Sequence, residues 1–253
     1  MRRIALVTGA TSGIGEATSM LLARNNFNLI VTGRRLNRLK SLENKILDKT
    51  DARILALNFD IRSLSETKKA VDSIPEEWKL IDVLINNAGL AVGLNSLQEG
   101  VIDDWERMID TNIKGLLYIS RLVAPLMIKQ GKGHIVNISS IAGKETYASG
   151  NVYCATKHAV QSLTQGMRID MLKVGIKVSS VSPGAVDTEF SVVRFKGDEQ
   201  KANDVYKGFK PLYAEDIAET ILFVVTRPPH VNIDDILVMP TAQALSREFH
   251  REY

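Results

Sequence analysis

The chain has 253 residues, 45% hydrophobic and 24% charged, and its 32 Lys+Arg against 29 Asp+Glu leave a formal charge of only +3. That is the composition of a soluble globular protein long enough to bury a sizeable core, and the interleaving of basic with acidic residues argues against a nucleic-acid-binding stripe. The single cysteine, Cys154, excludes an intrachain disulfide or a cysteine zinc site and fits a reducing, cytoplasmic setting.

The apolar stretch 221–225 is far shorter than the ~20 residues of a membrane span. At the start, Arg2-Arg3 precede only four apolar residues, so no signal peptide is expected. No linker, repeat or low-complexity segment interrupts the chain, and a single domain over 1–253 is expected.

Short apolar runs recur at 4–7, 29–31, 54–57, 83–85, 135–138, 178–181 and 236–238. Between them the spacing turns helical, as in Ile14-Ala17-Leu21 and in Trp105, Met108, Ile109, Asn112, Ile113 and Leu116. Strands alternating with helices predict βαβ units: an α/β Rossmann-type, doubly wound fold, with a parallel seven-stranded sheet and helices on both faces. Ligands then bind beyond the carboxyl ends of the strands.

After the first run comes TGATSGIG at 8–15, in which Gly9, Gly13 and Gly15 allow a tight turn and close approach to a pyrophosphate at a helix N-terminus. Its spacing is GxxxGxG, not the generic GxGxxG. The second run ends in Gly33-Arg34-Arg35, where an NAD site normally carries an acidic residue. Glycine excludes no phosphate and guanidinium groups match phosphate oxygens, so NADP is expected in preference to NAD. Asp60-Ile61, after the third run, offer a carboxylate for the adenine amino group and an apolar wall for its ring.

The fifth run ends in Ser139-Ser140, and Tyr153…Lys157 follow at helical i,i+4 spacing. A lysine on the same face favours the phenolate of a tyrosine whose pKa otherwise lies near 10. Tyr206…Lys210 repeats the spacing with no serine-ended strand before it, and is read as surface of a lid. That lid spans about 188–211, rich in Lys, Asp, Asn and Gly with apolar residues embedded; a plain surface helix pair fits it equally well. The four histidines lack ligand spacing, so no metal is expected. Cys154 is read as packing, and Met167 and Met171 as core or interface.

Taken together, these motifs resemble the short-chain dehydrogenase/reductase family. The resemblance rests on TGxxxGIG at 8–15, Asn86-Asn87-Ala88-Gly89, Asn112 in a helix, a serine thirteen residues before Tyr153-x-x-x-Lys157, and Pro183-Gly184 after the sixth run. It implies an oxidoreductase acting on a CH–OH group. Tyr153 would be the acid/base, Ser140 a hydrogen-bond donor to the substrate oxygen, Lys157 the group that lowers the tyrosine pKa and binds the nicotinamide ribose, and Asn112 the holder of a proton-relay water. Cofactor contacts are implied at Gly9, Thr11, Ser12, Gly13, Ile14, Gly15, Asn87, Ala88, Gly89, Pro183, Gly184, Val186 and Thr188, with Asn86 tying neighbouring strands.

Within the family, residues 151–157, 188–198 and 230–233 look most similar to the NADP-dependent 3-hydroxy acid dehydrogenases, which act on substrates such as L-serine, L-allo-threonine, 3-hydroxyisobutyrate and 3-hydroxypropionate. Arg194 then becomes a candidate clamp for the substrate carboxylate, or a structural arginine paired with Asp198 or Glu199. Tyr147 either reaches the substrate or packs. A broad carbonyl reductase and a non-catalytic NADP-binding sensor are the competing readings. The family also implies a homotetramer, with the helices around Leu116 and Leu163 at one interface and the C-terminal stretch at another; an apolar helix face there equally suits packing on the sheet.

Overall fold

The structure, a computed structural model, describes residues 2–252, so the two ends of the expected 1–253 unit lie outside the described residues. In chain order it runs β1 (Arg3–Val7), α1 (Gly13–Arg24), β2 (Phe27–Gly33), α2 (Leu36–Lys49), β3 (Ile54–Asn58), α3 (Leu64–Asp72) and β4 (Ile81–Asn86). It continues through α4 (Ile102–Ile109), α5 (Leu116–Gln130), β5 (Gly133–Ile138), α6 (Asn151–Met171), β6 (Ile176–Pro183), β7 (Val186–Asp187), α7 (Glu189–Arg194), α8 (Glu199–Asp204), β8 (Leu212–Tyr213), α9 (Ala214–Val225) and β9 (Asp235–Val238).

All seven expected strands enter one parallel sheet, in the order β3-β2-β1-β4-β5-β6-β9. Alternate side chains of a strand face opposite ways, and both sets here are apolar. Ala5, Val7, Leu29, Val31, Val83 and Ile85 pack with Leu22 of α1, Leu39, Leu42 and Ile46 of α2, and Ile217 and Ile221 of α9. Ile4, Leu6, Ile30, Leu84 and Ile135 pack on the other side with Val71 of α3 and Ile119, Val123 and Met127 of α5. A sheet buried on both faces has to read as continuous apolar runs, which is why these strands showed so clearly in the sequence.

Chain direction across the sheet reverses between β1 and β4, and this switch point opens a crevice at the carboxyl ends of the strands. Asn86, at the end of β4, donates to Asn137 Oδ1 of β5 (2.8 Å) and to Ser120 Oγ of α5 (2.8 Å), while Asn137 donates to Thr164 Oγ1 of α6 (2.9 Å). This buried, mutually bonded set fixes the two strand ends against the helices.

The helical pattern of 105–116 is not one helix. After α4 the chain makes a π-turn over Asp110–Gly115 before resuming as α5, an irregularity frequent at functional sites. Met167 and Met171 pack against the second core, and Cys154 is buried. Leu116 is buried and Leu163 half-buried, whereas Ile169 and Leu172 at the end of α6 are 72% and 73% exposed. Among the described residues no helix is long and apolar enough to cross a membrane, and no group of three or more His, Cys, Asp or Glu could hold a metal ion.

Candidate active site

A cleft of about 630 Å³ lies at the switch point, floored by the strand ends and roofed by α7, the turn after α8 and the C-terminal tail. Its nucleotide end is built first by the glycine loop. Gly9 and Gly13 take φ of +64° and +52°, the left-handed region that glycine enters without strain. A Cβ on Gly9 would stand 2.8 Å from Ala88 Cα. Thr8 Oγ1 accepts from the backbone N–H groups of Asn87 and Ala88 (both 3.0 Å), and Asn87 Nδ2 donates to Thr8 O (2.9 Å) and Gly9 O (3.1 Å). Asn87, Ala88 and Gly89 are thereby held beside the loop. Thr11, Ser12, Gly13 and Ile14 line the cleft wall, while Gly15 sits beneath it, where a Cβ would meet Gly9 O at 2.4 Å.

Gly33 lies over Thr11, whose Cγ2 would be 2.5 Å from a Cβ there. Beside it Arg34 is exposed, its nearest carboxylate Asp60 at 3.7 Å. Arg35 is tied down: Nε and Nη2 donate to Thr11 Oγ1 (3.1 and 2.9 Å), Nη2 also to Ser12 Oγ (2.7 Å), and Nη1 to Glu189 (3.0 Å). Asp60 and Ile61 line the cleft as expected, but the Asp60 carboxylate is chelated by Arg62 (2.9 and 2.6 Å). Burial alone would raise the Asp60 pKa; the Arg62 hydrogen bonds, with Arg34 nearby, hold it below the ordinary carboxylate range.

Ser140, Tyr147, Tyr153, Lys157, Pro183, Gly184, Val186 and Arg194 line the rest of the cleft, and Thr188 lines it beside Gly13. Tyr153 and Lys157 lie one turn apart on the buried face of α6. Lys157 Nζ donates to Ile138 O (2.9 Å) and stands 6.0 Å from the Tyr153 ring centre. Ser140 Oγ accepts from Ala142 N (3.1 Å) at the end of β5. Burial dominates the protonation here. It pulls the Lys157 amine down to about 8 and pushes the Tyr153 phenol well above 10, with the neighbouring Tyr147 hydroxyl adding to the rise and Ser140 and Arg194 drawing it back. Desolvation penalises the charged form of both groups, the phenolate of Tyr153 and the ammonium of Lys157.

Asn112 does not line the cleft; it is buried under Gly89. Its Oδ1 accepts from Leu90 N (2.8 Å), and its Nδ2 donates to Leu90 O (2.9 Å) and Thr156 Oγ1 (3.0 Å). The side-chain amide is committed to these protein partners, and it joins the π-turn to α6 one residue before Lys157.

Residues 188–211 carry the two short helices α7 and α8, and several of their residues line the cleft. Phe190 covers Tyr153, ring centres 5.8 Å apart. Arg194 pairs with neither Asp198 nor Glu199. Asp198 pairs with Lys201 (3.0 Å), whereas Arg194 Nη2 donates to Tyr147 OH (2.8 Å) and the guanidinium sits 5.4 and 5.5 Å from the Tyr147 and Tyr153 ring centres. Its Nε is buried without a partner. Tyr206 is not mere lid surface: half-buried, it donates to Val186 O (2.7 Å) and bonds Ser191 Oγ (2.7 Å), bracing α7 on β7. It lies in a turn, so Tyr206 and Lys210 share no helix face.

Sequence reasoning missed the C-terminal tail. Gln243 Oε1 accepts from Ala185 N (2.8 Å) and would lie 2.4 Å from a Cβ on Gly184. Ser246 N donates to Glu145 (2.9 Å), and Arg247 stacks 4.6 Å from the Tyr147 ring centre. Arg251 donates to the carbonyls of Val205 (3.0 Å) and Lys207. These residues follow the last strand without periodicity or motif, so nothing in the sequence marked them.

A parallel switch-point crevice with a glycine loop at one end and a Ser-Tyr-Lys group at the other defines a nucleotide-dependent oxidoreductase site, and residues 3–199 match the short-chain dehydrogenase family model. The chain belongs to the short-chain dehydrogenase family. Over 244 residues it is 43% identical to the NADP-dependent 3-hydroxy acid dehydrogenase YdfG of Salmonella typhi, covering 96% of this chain and 97% of that protein. It is 42% identical to the NADP-dependent 3-hydroxy acid dehydrogenase of Schizosaccharomyces pombe, covering 98% and 96%. The closed form of a serine dehydrogenase complexed with NADP+ superposes with a TM-score of 0.91 at 42% identity, over 98% of this chain and all of that one (100%).

Proposed function

We propose that this protein is an NADP-dependent dehydrogenase of 3-hydroxy acids or 3-hydroxy amino acids. The observation that carries the substrate class is the pair of guanidinium groups, Arg194 and Arg247, set on the Tyr147 ring beside Tyr153, with Arg194 Nε buried and unpartnered. A buried donor of this kind asks for an acceptor, and a substrate carboxylate separated from the reacting carbinol by one carbon supplies it. The relatives named above act on substrates of this class by their names.

The residues fit NADP. Gly9 and Gly13 hold the left-handed turns of a loop packed tightly on Ala88, the loop opens an α-helix whose N-terminus favours phosphate, and Arg34 and Arg35 follow Gly33 where a 2′-phosphate needs cations. Bound there, the nicotinamide supplies or takes up the hydride. Tyr153 passes the proton to or from the substrate oxygen. Because burial pushes its phenol up, it is protonated at neutral pH and suited to donate to a carbonyl; abstraction from an alcohol calls for the phenolate, which Ser140 and Arg194 favour. Ser140 donates to the same oxygen, Lys157 holds the ribose hydroxyls, and Asn112 positions the turn before Lys157. Phe190 and the roof keep water from the reacting atoms.

Residues 188–211 act as the substrate lid of one domain over 1–253. In keeping with the family, we propose a cytoplasmic homotetramer, with the apolar Ile169 and Leu172 covered in the assembly.

The test is oxidation of a panel of 3-hydroxy acids matched with neutral alcohols of equal length, followed by NADPH absorbance. A hydroxy-acid preference of tenfold or more is expected. Equal rates on both classes would leave a broad carbonyl reductase as the reading, and absence of turnover with intact NADPH binding would leave a sensor.

A further inference from the structure

The first helical residue of the roof, Glu189, reaches across the cleft to the cofactor side. Its carboxylate bridges Arg35 Nη1 (3.0 Å) and Arg38 Nη1, both on the segment that leaves β2. Burial alone would raise its pKa; the two arginines hold it below the ordinary carboxylate range, so at neutral pH the Glu189 carboxylate is charged. The roof is keyed here on its other flank as well: a Cβ on Gly13 would meet Thr188 Cβ at 3.2 Å, so α7 starts directly on the glycine loop.

Almost every donor of Arg35 is thereby spent. Nε and Nη2 serve Thr11 and Ser12, and Nη1 serves Glu189. A phosphate on the ribose 2′-oxygen would be recognised by the same guanidinium geometry that now holds a carboxylate. Only Arg34, 55% exposed with its nearest carboxylate at 3.7 Å, is ready to receive a phosphate without losing a close partner.

We propose that Glu189 is a specificity-determining residue that acts as an internal competitor for the 2′-phosphate: its carboxylate occupies Arg35 and Arg38 and sets the preference for NADP over NAD below what the three arginines would give alone. The inference rests on the proposed NADP reading. It also predicts a cost specific to the phosphate: a cofactor lacking it neither displaces Glu189 nor feels its charge at close range.

The experiment measures binding of two probes to the full chain by calorimetry: 2′,5′-ADP, which carries the 2′-phosphate, and 5′-AMP, which lacks it. Glu189→Gln keeps the shape of the side chain and removes its charge; Glu189→Ala removes both and guards against a new amide contact. Both variants should bind 2′,5′-ADP about 1.5- to fivefold more tightly than the unsubstituted protein, the range expected for an exposed ion pair, with 5′-AMP unmoved. The gain should shrink as salt is raised from 50 to about 500 mM, because exposed charges are screened. Unchanged or weaker 2′,5′-ADP binding in both variants would overturn the competitor, the weaker result making Glu189 a support that orients Arg35. If the unsubstituted protein shows no preference between the probes while Glu189→Gln acquires one, the competitor stands and the NADP reading fails. If neither protein discriminates, both fall.

Discussion

The two ends of the cleft are made in different ways. At the nucleotide end, the loop from Thr8 to Gly15, the turn Gly33-Arg34-Arg35 and the run Asn86 to Gly89 each lie at the end of a strand, and hydrogen bonds tie the loop to the other two. At the reacting end, Tyr153 comes from α6, Ser140 from the end of β5, Arg194 from α7 and Arg247 from the tail, brought together across more than 100 residues of chain. The first end is a local product of strand-turn-helix geometry. The second is an assembly, and its electrostatics follow from how thoroughly the assembly excludes water. Substitutions at the two ends should therefore separate cleanly into cofactor effects and reaction effects.

The sharpest separation is expected from Tyr153→Phe. Loss of the proton-transfer group should lower kcat by about 10²–10⁴, while fluorescence titration still finds NADPH bound. Next comes Arg194→Ala. Removing a charged donor from a carboxylate costs about 1.5–3 kcal/mol, so kcat/KM for a 3-hydroxy acid should drop by about 10- to 150-fold, with a neutral alcohol of the same length little affected. An equal loss on both substrates would mean that Arg194 only braces the roof. At the opposite end, Arg34→Ala and Arg35→Ala should each reduce the NADP-to-NAD ratio of kcat/KM by about tenfold, with kcat at saturating NADPH largely kept. A collapse of kcat there would break the comparison.

The smallest effect concerns stability. Burial lowers the Lys157 pKa from 10.5 to about 8, so between those values the unfolded chain binds more protons than the folded one. Stability contributed through this group therefore rises as pH climbs from about 8 to 10.5, and below 8 the cost of burying the ammonium is felt in full. Lys157→Met should raise Tm by a few degrees at pH 7 and lose that advantage by about pH 10.5. An advantage independent of pH would show that the ammonium is not penalised by burial.

How much was legible depended on the same division. The seven strands showed because a sheet covered on both faces must be apolar throughout, and the glycine loop because φ near +60° at Gly9 and Gly13 tolerates little else. The spacing of Tyr153 and Lys157 was visible, and so was the false copy at Tyr206; only the turn around Tyr206 removes its helical face. The π-turn at Asn112 was hidden, since its apolar positions also suit an unbroken helix.

Legible along the chain were the α/β class, the strand ends that bear the motifs, and most of the residue types that line the cleft. All of these are short-range: a turn, a helix face or a buried strand imposes its requirement within a few residues. Tertiary structure decided which charges meet. It placed Arg247 on Tyr147, turned the Asn112 amide onto Leu90 and Thr156, and brought Glu189 to Arg35 and Arg38. It also buried the Tyr153 phenol, which raises its pKa, beside Tyr147, Ser140 and Arg194. Coulomb and desolvation energies depend on distance and exposure in space, and neither can be read from spacing along a chain.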